Sequence, residues 1–138
     1  VFSTAEDLAV VASLMLNDGV IRLPSEGIKG AFGGTDRIRL YSKNTIDAFT
    51  RIPAGYEEHG RALGWDIGVA HGSYMGELLT PGSLVNHSGY TGTSIAINQK
   101  DGIAIIFLTN RVHPFDDGAV ARARATVSNI VVSAMDHK

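Results

Sequence analysis

Two short apolar stretches joined by a polar turn, residues 93 to 108, limit what this chain can become more than any other feature. Ile95 and Ile97 alternate with Ser94 and Ala96, the period of a strand with one face turned inward. Gln99-Lys100-Asp101-Gly102 then has the polarity and the glycine that a tight hairpin connection uses. Ile103 to Leu108 is an unbroken apolar run, short for a helix and suited to a central strand covered on both faces. Such a pair predicts the antiparallel core of a sheet.

Just upstream, Pro81-Gly82 marks a turn, and Leu84-Val85-Asn86-His87-Ser88-Gly89-Tyr90-Thr91-Gly92-Thr93-Ser94 passes from apolar residues into small polar ones around a histidine. Glycine in a strand costs stability without a packing return, so Gly89 and Gly92 signal close approach of another backbone or of a ligand. From the residues alone two readings stand: a loose hairpin with a partly buried histidine, or a strand end that faces a ligand.

Helices are expected on either side of these strands. Ser3-Thr4-Ala5-Glu6 reads as a capping box, opening a helix to about Asn17 with Leu8, Val11, Ala12 and Met15 on its inner face. Ser42 is a second N-cap, for a helix reaching Ile52 before Pro53. Asp116 and Asp117 sit where a cap would open a helix from about Gly118 to Met135. Its apolar stripe is Val120, Ala123, Val127, Ile130, Val131 and Ala134, with Arg122, Arg124 and Asn129 off the stripe. Leu63, Trp65, Ile67 and Val69 alternate with Gly64, Asp66 and Gly68 as a strand, followed by a turn at His71-Gly72-Ser73 and another strand around Tyr74 to Leu79. Val20 to Leu40 is a surface loop or hairpin. Its glycines, Gly27, Gly30, Gly33 and Gly34, match neither the P-loop nor the dinucleotide fingerprint.

The 138 residues suffice for one domain, 1–138, that buries roughly 70% of its unfolded surface. A net charge of −2 with 12 scattered Lys and Arg gives no electrostatic reason to expect nucleic acid. With no cysteine there are no disulfides and no thiolate metal sites, and the compartment stays open. His59 and His71 lack the spacing of a helical zinc pair, and Glu57-Glu58-His59 lacks the second histidine of a zincin, so no metal is expected. No apolar run reaches the roughly 18 residues that span a bilayer, and no basic segment leads into an apolar core as in a signal peptide. A triad of Ser94, His113 and Asp116 can be written on paper from residue types alone and carries no weight.

The stretch from His87 to Tyr90 resembles the third motif of the serine β-lactamase and penicillin-binding-protein superfamily. That motif is Lys-Thr-Gly in many members and His-Ser-Gly or His-Thr-Gly in the esterase-like and class C-like branches. The likeness extends from Val1-Phe2-Ser3-Thr4-Ala5-Glu6-Asp7-Leu8-Ala9 through Leu63-Gly64-Trp65 to Phe107-Leu108-Thr109-Asn110-Arg111-Val112-His113-Pro114. It implies an α/β (α+β) fold, an antiparallel sheet flanked by helices, as part of a β-lactamase or transpeptidase-like fold. It implies no cofactor.

By the same likeness His87 takes the place of the Lys or His, Ser88 that of the hydroxyl residue and Gly89 that of the glycine. Tyr90 takes the place of the residue whose backbone N–H completes the oxyanion hole. Asn110, Arg111 and His113 would line the rim of the site and touch substrate. An imidazole is charged less of the time than an ammonium at neutral pH, so His87 favours an esterase or peptidase over strong β-lactam hydrolysis. Ser88 either bonds substrate or fills a strand edge.

The superfamily's nucleophile lies in Ser-x-x-Lys, and no serine of this chain has Lys three residues on; Tyr-x-Asn is also absent. The expectation is therefore a C-terminal portion of a serine hydrolase, silent alone, whose partner is the missing N-terminal part and whose substrate is a β-lactam, peptidoglycan peptide or ester. The compartment of the parent stays open, a periplasmic or secreted one included. Exposed apolar surface would favour a homodimer of the isolated chain. A non-catalytic binding module or a broad esterase parent are the alternatives.

Overall fold

The hairpin read from the sequence forms one side of the sheet, and among the described residues its second strand lies at the end of the row rather than at the centre. In the computed structural model, which describes residues 2–22, 36–68, 75–79, 81–116 and 118–135, four antiparallel strands lie side by side: β3 (Asp66–Ile67), β4 (Leu84–Ser88), β5 (Ser94–Asn98) and β6 (Ile103–Phe107). β1 (Val20–Arg22) and β2 (Arg37–Arg39) pair separately. Three helices complete the described elements: α1 (Ala5–Leu16), α2 (Lys43–Thr50) and α3 (Val120–Ser133). Short 3-10 turns occupy Glu57–His59 and Pro81–Ser83.

Register divides the apolar residues between two faces, because neighbouring strand residues point opposite ways. Val85 pairs with Ile97 and Leu84 with Asn98. Val85 and Ile97 pack with Ala12 and Met15 of α1 and Ile46 of α2. Leu84, Ala96, Ile103 and Ile105 pack on the other face with Met75, Leu79 and Val132 of α3. Both faces of the sheet are thus covered, as the unbroken run Ile103 to Leu108 requires. Asn98, fully buried, accepts hydrogen bonds through Oδ1 from the Lys100 and Asp101 amides at 3.1 Å each and from Ser83 Oγ at 2.7 Å. This side chain, rather than the glycine alone, shapes the β5–β6 turn.

Several expectations shift. The cap of α1 is Thr4, one residue beyond Ser3: Thr4 is extended and its hydroxyl accepts from the Asp7 amide at 3.2 Å. Ala12 and Met15 are buried as expected, whereas Val11 is 41% exposed. Ser42 caps α2, but the helix stops at Thr50.

The strand through residues 63–69 shrinks to two residues, with Leu63 exposed and Asp66 buried instead. Asp66 goes inside because Arg61 Nε meets its Oδ1 at 2.8 Å, so the period-2 assignment of one face fails where a polar residue has a partner. Residues 75–79 form no strand. Their backbone is held by α3 instead, where Asn129 Oδ1 accepts from the Glu77 and Leu78 amides at 3.0 and 3.2 Å. Val69, His71, Gly72, Ser73 and Tyr74 lie outside the described residues, as do Gly27, Gly30, Gly33, Gly34 and Asp117.

α3 has a different phase from the one its apolar residues suggest. Its inner row is Val120, Arg124, Ser128 and Val132, one every four residues, with Ala125 beside it, while Ile130 is 62% exposed. Among the described residues no side-chain hydrogen bond caps its start. Asp116 Oδ1 instead accepts from the Gly118 amide at 3.1 Å, one turn before the helix. Among the described residues no helix is long and apolar enough to cross a membrane.

Candidate active site

The site lies where β4 ends and the chain turns back into β5. Val85 and His87 share the α1 face, and Asn86 and Ser88 the α3 face. The core ends before His87, so its imidazole is exposed and no sealed core histidine exists here. His87 Nδ1 is 3.1 Å from the Ser88 carbonyl oxygen. A carbonyl only accepts, so in this contact Nδ1 is the donor and Nε2 points away from it. Ser88 is half-buried opposite Ser94.

Residues 89–93 form a turn whose Gly89, Thr91, Gly92 and Thr93 carbonyls are tied back into the protein. The Gly89 amide donates to Thr93 O at 2.7 Å and the Gly92 amide to Gly89 O at 3.1 Å. The Arg111 amide donates to Thr91 O at 2.8 Å, and Thr109 Oγ1 donates to Gly92 O at 2.8 Å. Arg124 Nη2 reaches both arms of the turn, donating to Gly89 O at 2.9 Å and Thr93 O at 3.0 Å. The amide contacts that close the turn come from Gly89 and Gly92 and do not use the Tyr90 N–H. Gly89 and Gly92 are the close-approach positions the sequence suggested. A Cβ on Gly89 would lie 2.4 Å from Thr93 Oγ1, and one on Gly92 would lie 2.9 Å from Thr109 O.

Arg124 is 93% buried, being 7% exposed, and its guanidinium pKa is lowered by that burial first and by the nearby Arg111 charge second. Its carbonyl partners are the compensation for placing a cation there. Sequence reasoning missed it: charge set it off the stripe, and only the fold brings a turn 31 residues away to its head group.

The Tyr90 side chain extends outward, 75% exposed, yet it is not loose. The Arg111 guanidinium lies over its ring at 4.6 Å, Tyr90 OH donates to Asp116 Oδ2 at 3.3 Å, and Arg111 Nη2 meets the same oxygen at 3.0 Å. Asp116, read from sequence as a helix cap, is therefore the third member of a Tyr90–Arg111–Asp116 cluster. Of the three rim residues expected, the structure brings only Arg111 to the turn. Asn110 is exposed, with Oδ1 accepting from the Val112 amide at 3.0 Å, and His113 is exposed. Asn110, Arg111 and His113 share a shallow cleft of about 350 Å³ with Phe107 and Phe115, and neither His87 nor Ser88 lines it. A second cleft of about 260 Å³, apolar and lined by α1, α2, Tyr41 and Trp65, contains none of the expected site residues. No group of three or more His, Asp or Glu suited to a metal occurs among the described residues.

An antiparallel sheet with helices on both faces, with a strand ending at His87-Ser88 and running into Gly89, is the mixed architecture of a partial β-lactamase-like fold. A family model described as Beta-lactamase matches residues 1–129, and this chain belongs to that family, within the serine β-lactamase and penicillin-binding-protein superfamily. It is also similar to proteins of Salmonella typhi, Salmonella paratyphi B and Salmonella newport named "Putative D-alanyl-D-alanine carboxypeptidase". Identity to each is 30% over 114 residues, which is 81% of this chain and 22% of the relative. The chain thus spans 22% of the length of these relatives.

Proposed function

We propose that the chain is the oxyanion-side portion of a serine hydrolase that works through an acyl-enzyme, with the nucleophilic serine and its lysine in polypeptide outside these 138 residues. The observation that carries this reading is the turn at 89–93, whose Gly89, Thr91, Gly92 and Thr93 carbonyls are engaged inward while the Tyr90 N–H stays out of the turn's own contacts. Such a donor, fixed before substrate arrives, needs no reorganisation when charge develops on the substrate carbonyl oxygen. His87 stands beside it with Nε2, the ring nitrogen away from the Ser88 carbonyl, available to the substrate or to the attacking hydroxyl. The partner in this reading is the rest of the same enzyme.

The substrate class we propose is a peptide ending in D-alanyl-D-alanine, or an ester or β-lactam of similar shape. The names of the similar proteins and the imidazole in place of an ammonium both favour peptide or ester over β-lactam. Serine attack on the carbonyl carbon would release the amine or alcohol, and water would then cleave the acyl ester.

In the complete hydrolase, His87→Ala is expected to lower kcat for a D-alanyl-D-alanine peptide or a p-nitrophenyl ester at least about tenfold, a floor set below the ~10²- to 10⁴-fold typical of losing a positioned proton-transfer group. Unchanged kinetics on both substrates contradicts the role given to His87. Saturable binding of the peptide with no turnover by the wild type makes the protein a binding module.

A further inference from the structure

Arg124 belongs to no motif and touches no expected substrate position, yet it is the buried side chain that reaches the candidate oxyanion turn from behind. Its Nη2 gives one N–H to Gly89 O and one to Thr93 O, at 2.9 and 3.0 Å, so a single planar group spans both arms. Gly89 O and Tyr90 N belong to the same peptide unit. That unit is trans, the His113–Pro114 bond being the cis one among the described residues. In a trans planar peptide the C=O and N–H point in opposite directions, so fixing the carbonyl toward α3 fixes the Tyr90 N–H away from α3. Drawing electron density toward the carbonyl oxygen also makes the N–H of that unit a stronger donor, the polarisation seen along hydrogen-bonded chains.

We propose that Arg124 is a positioning residue for the acyl-transfer reaction, aiming and polarising the Gly89–Tyr90 peptide whose N–H receives the oxyanion. The inference rests on the hydrolase reading above and deepens it. It explains why an arginine is buried on the inner row of a helix beside Val120, Ser128 and Val132. Both contacts come from the one nitrogen Nη2 at the tip of the planar guanidinium, so a lysine keeps the charge and enough donors but on a shorter, more strongly hydrated head group, and a methionine would serve neither acceptor.

The test compares Arg124→Lys and Arg124→Met with Arg122→Met, an exposed arginine of the same helix, as control. In the 138-residue chain, amide NMR is expected to show the Tyr90 N–H resonance moving upfield in Arg124→Met, as the N–H becomes a weaker donor. Arg124→Lys should fall between, and Arg122→Met should match the wild type. In the complete hydrolase kcat is expected to fall roughly tenfold in Arg124→Met with KM little changed and partial recovery in Arg124→Lys, less than the ~10²-fold or more of losing an oxyanion donor outright. If Arg124→Met does not fold, the Tyr90 amide in Arg124→Lys decides. A Tyr90 amide that is unchanged in the folded variants overturns the assignment, as does a loss confined to KM. Absence of turnover by the wild-type hydrolase instead overturns the hydrolase reading, while the amide measurement still judges what Arg124 does to the turn.

Discussion

Gly92→Ala is expected to destabilise the protein by about 3 kcal/mol and to reduce turnover of the complete hydrolase roughly 10²-fold, the largest effect of a single methyl group anywhere near the site. Gly92 has φ +125°, a conformation L side chains rarely adopt, and a Cβ there would stand 2.8 Å from Thr109 Oγ1, 2.9 Å from Thr109 O and 3.1 Å from the Arg111 amide. Two of those atoms are in the hydrogen bonds that tie the turn to the segment after β6. The backbone cannot yield without breaking Thr109 Oγ1 to Gly92 O or Arg111 N to Thr91 O, and either loss releases the peptide units that aim the Tyr90 N–H. Gly82→Ala is the control, since nothing lies within 4 Å of the Cβ it would add. It should change stability by less than about 0.5 kcal/mol. Urea unfolding of the three proteins measures the first effect and p-nitrophenyl ester kinetics the second; equal stability of Gly92→Ala and the wild type contradicts the turn as described.

The other large effect is expected in the core. Ile97→Ala should cost about 3 to 4 kcal/mol, near the upper part of the range for emptying a buried aliphatic position, while Ile97→Val should cost only about 1 kcal/mol. Ile97 is fully buried, pairs with Val85 across β4 and β5, and is enclosed by Ala12, Met15 and Ile46 from the two helices on that face. Its neighbours are anchored in three separate elements, so they cannot easily collapse into the space left. The urea midpoint is expected to fall with the m-value unchanged, because the surface exposed on unfolding is nearly the same. A loss below about 1 kcal/mol would mean that α1 and α2 do not rest on the sheet.

Elements whose apolar pattern is local were legible in the sequence. The β5–β6 hairpin needs only its own residues: alternation, a polar turn and an apolar run place Ser94–Asn98 and Ile103–Phe107 within one residue of the observed strands. The His87–Tyr90 strand end and its two close-packed glycines were likewise visible, because a glycine is costly unless space demands it.

What stayed hidden depended on partners far along the chain. Arg124 and Ser128 broke the helical stripe of α3 because a charged and a small polar residue score as outward-facing, although the carbonyls of Gly89 and Thr93 supply what burial of Arg124 requires. Asp66 was placed on the outer face by the period-2 rule and was buried by Arg61. Asp116 showed its capping chemistry in sequence, but its second oxygen is committed to Tyr90 and Arg111, which only the fold brings near.

The central claim is that this segment presents the oxyanion turn and takes its nucleophile from elsewhere. Intact-mass spectrometry after incubation with a fluorescent β-lactam or an activated ester tests it most directly, run on the 138-residue chain and on the complete hydrolase. The account predicts one covalent adduct on the complete protein, at a serine outside these residues, and none on the chain alone. An adduct on the isolated chain, at Ser88 or any other of its serines, would contradict it.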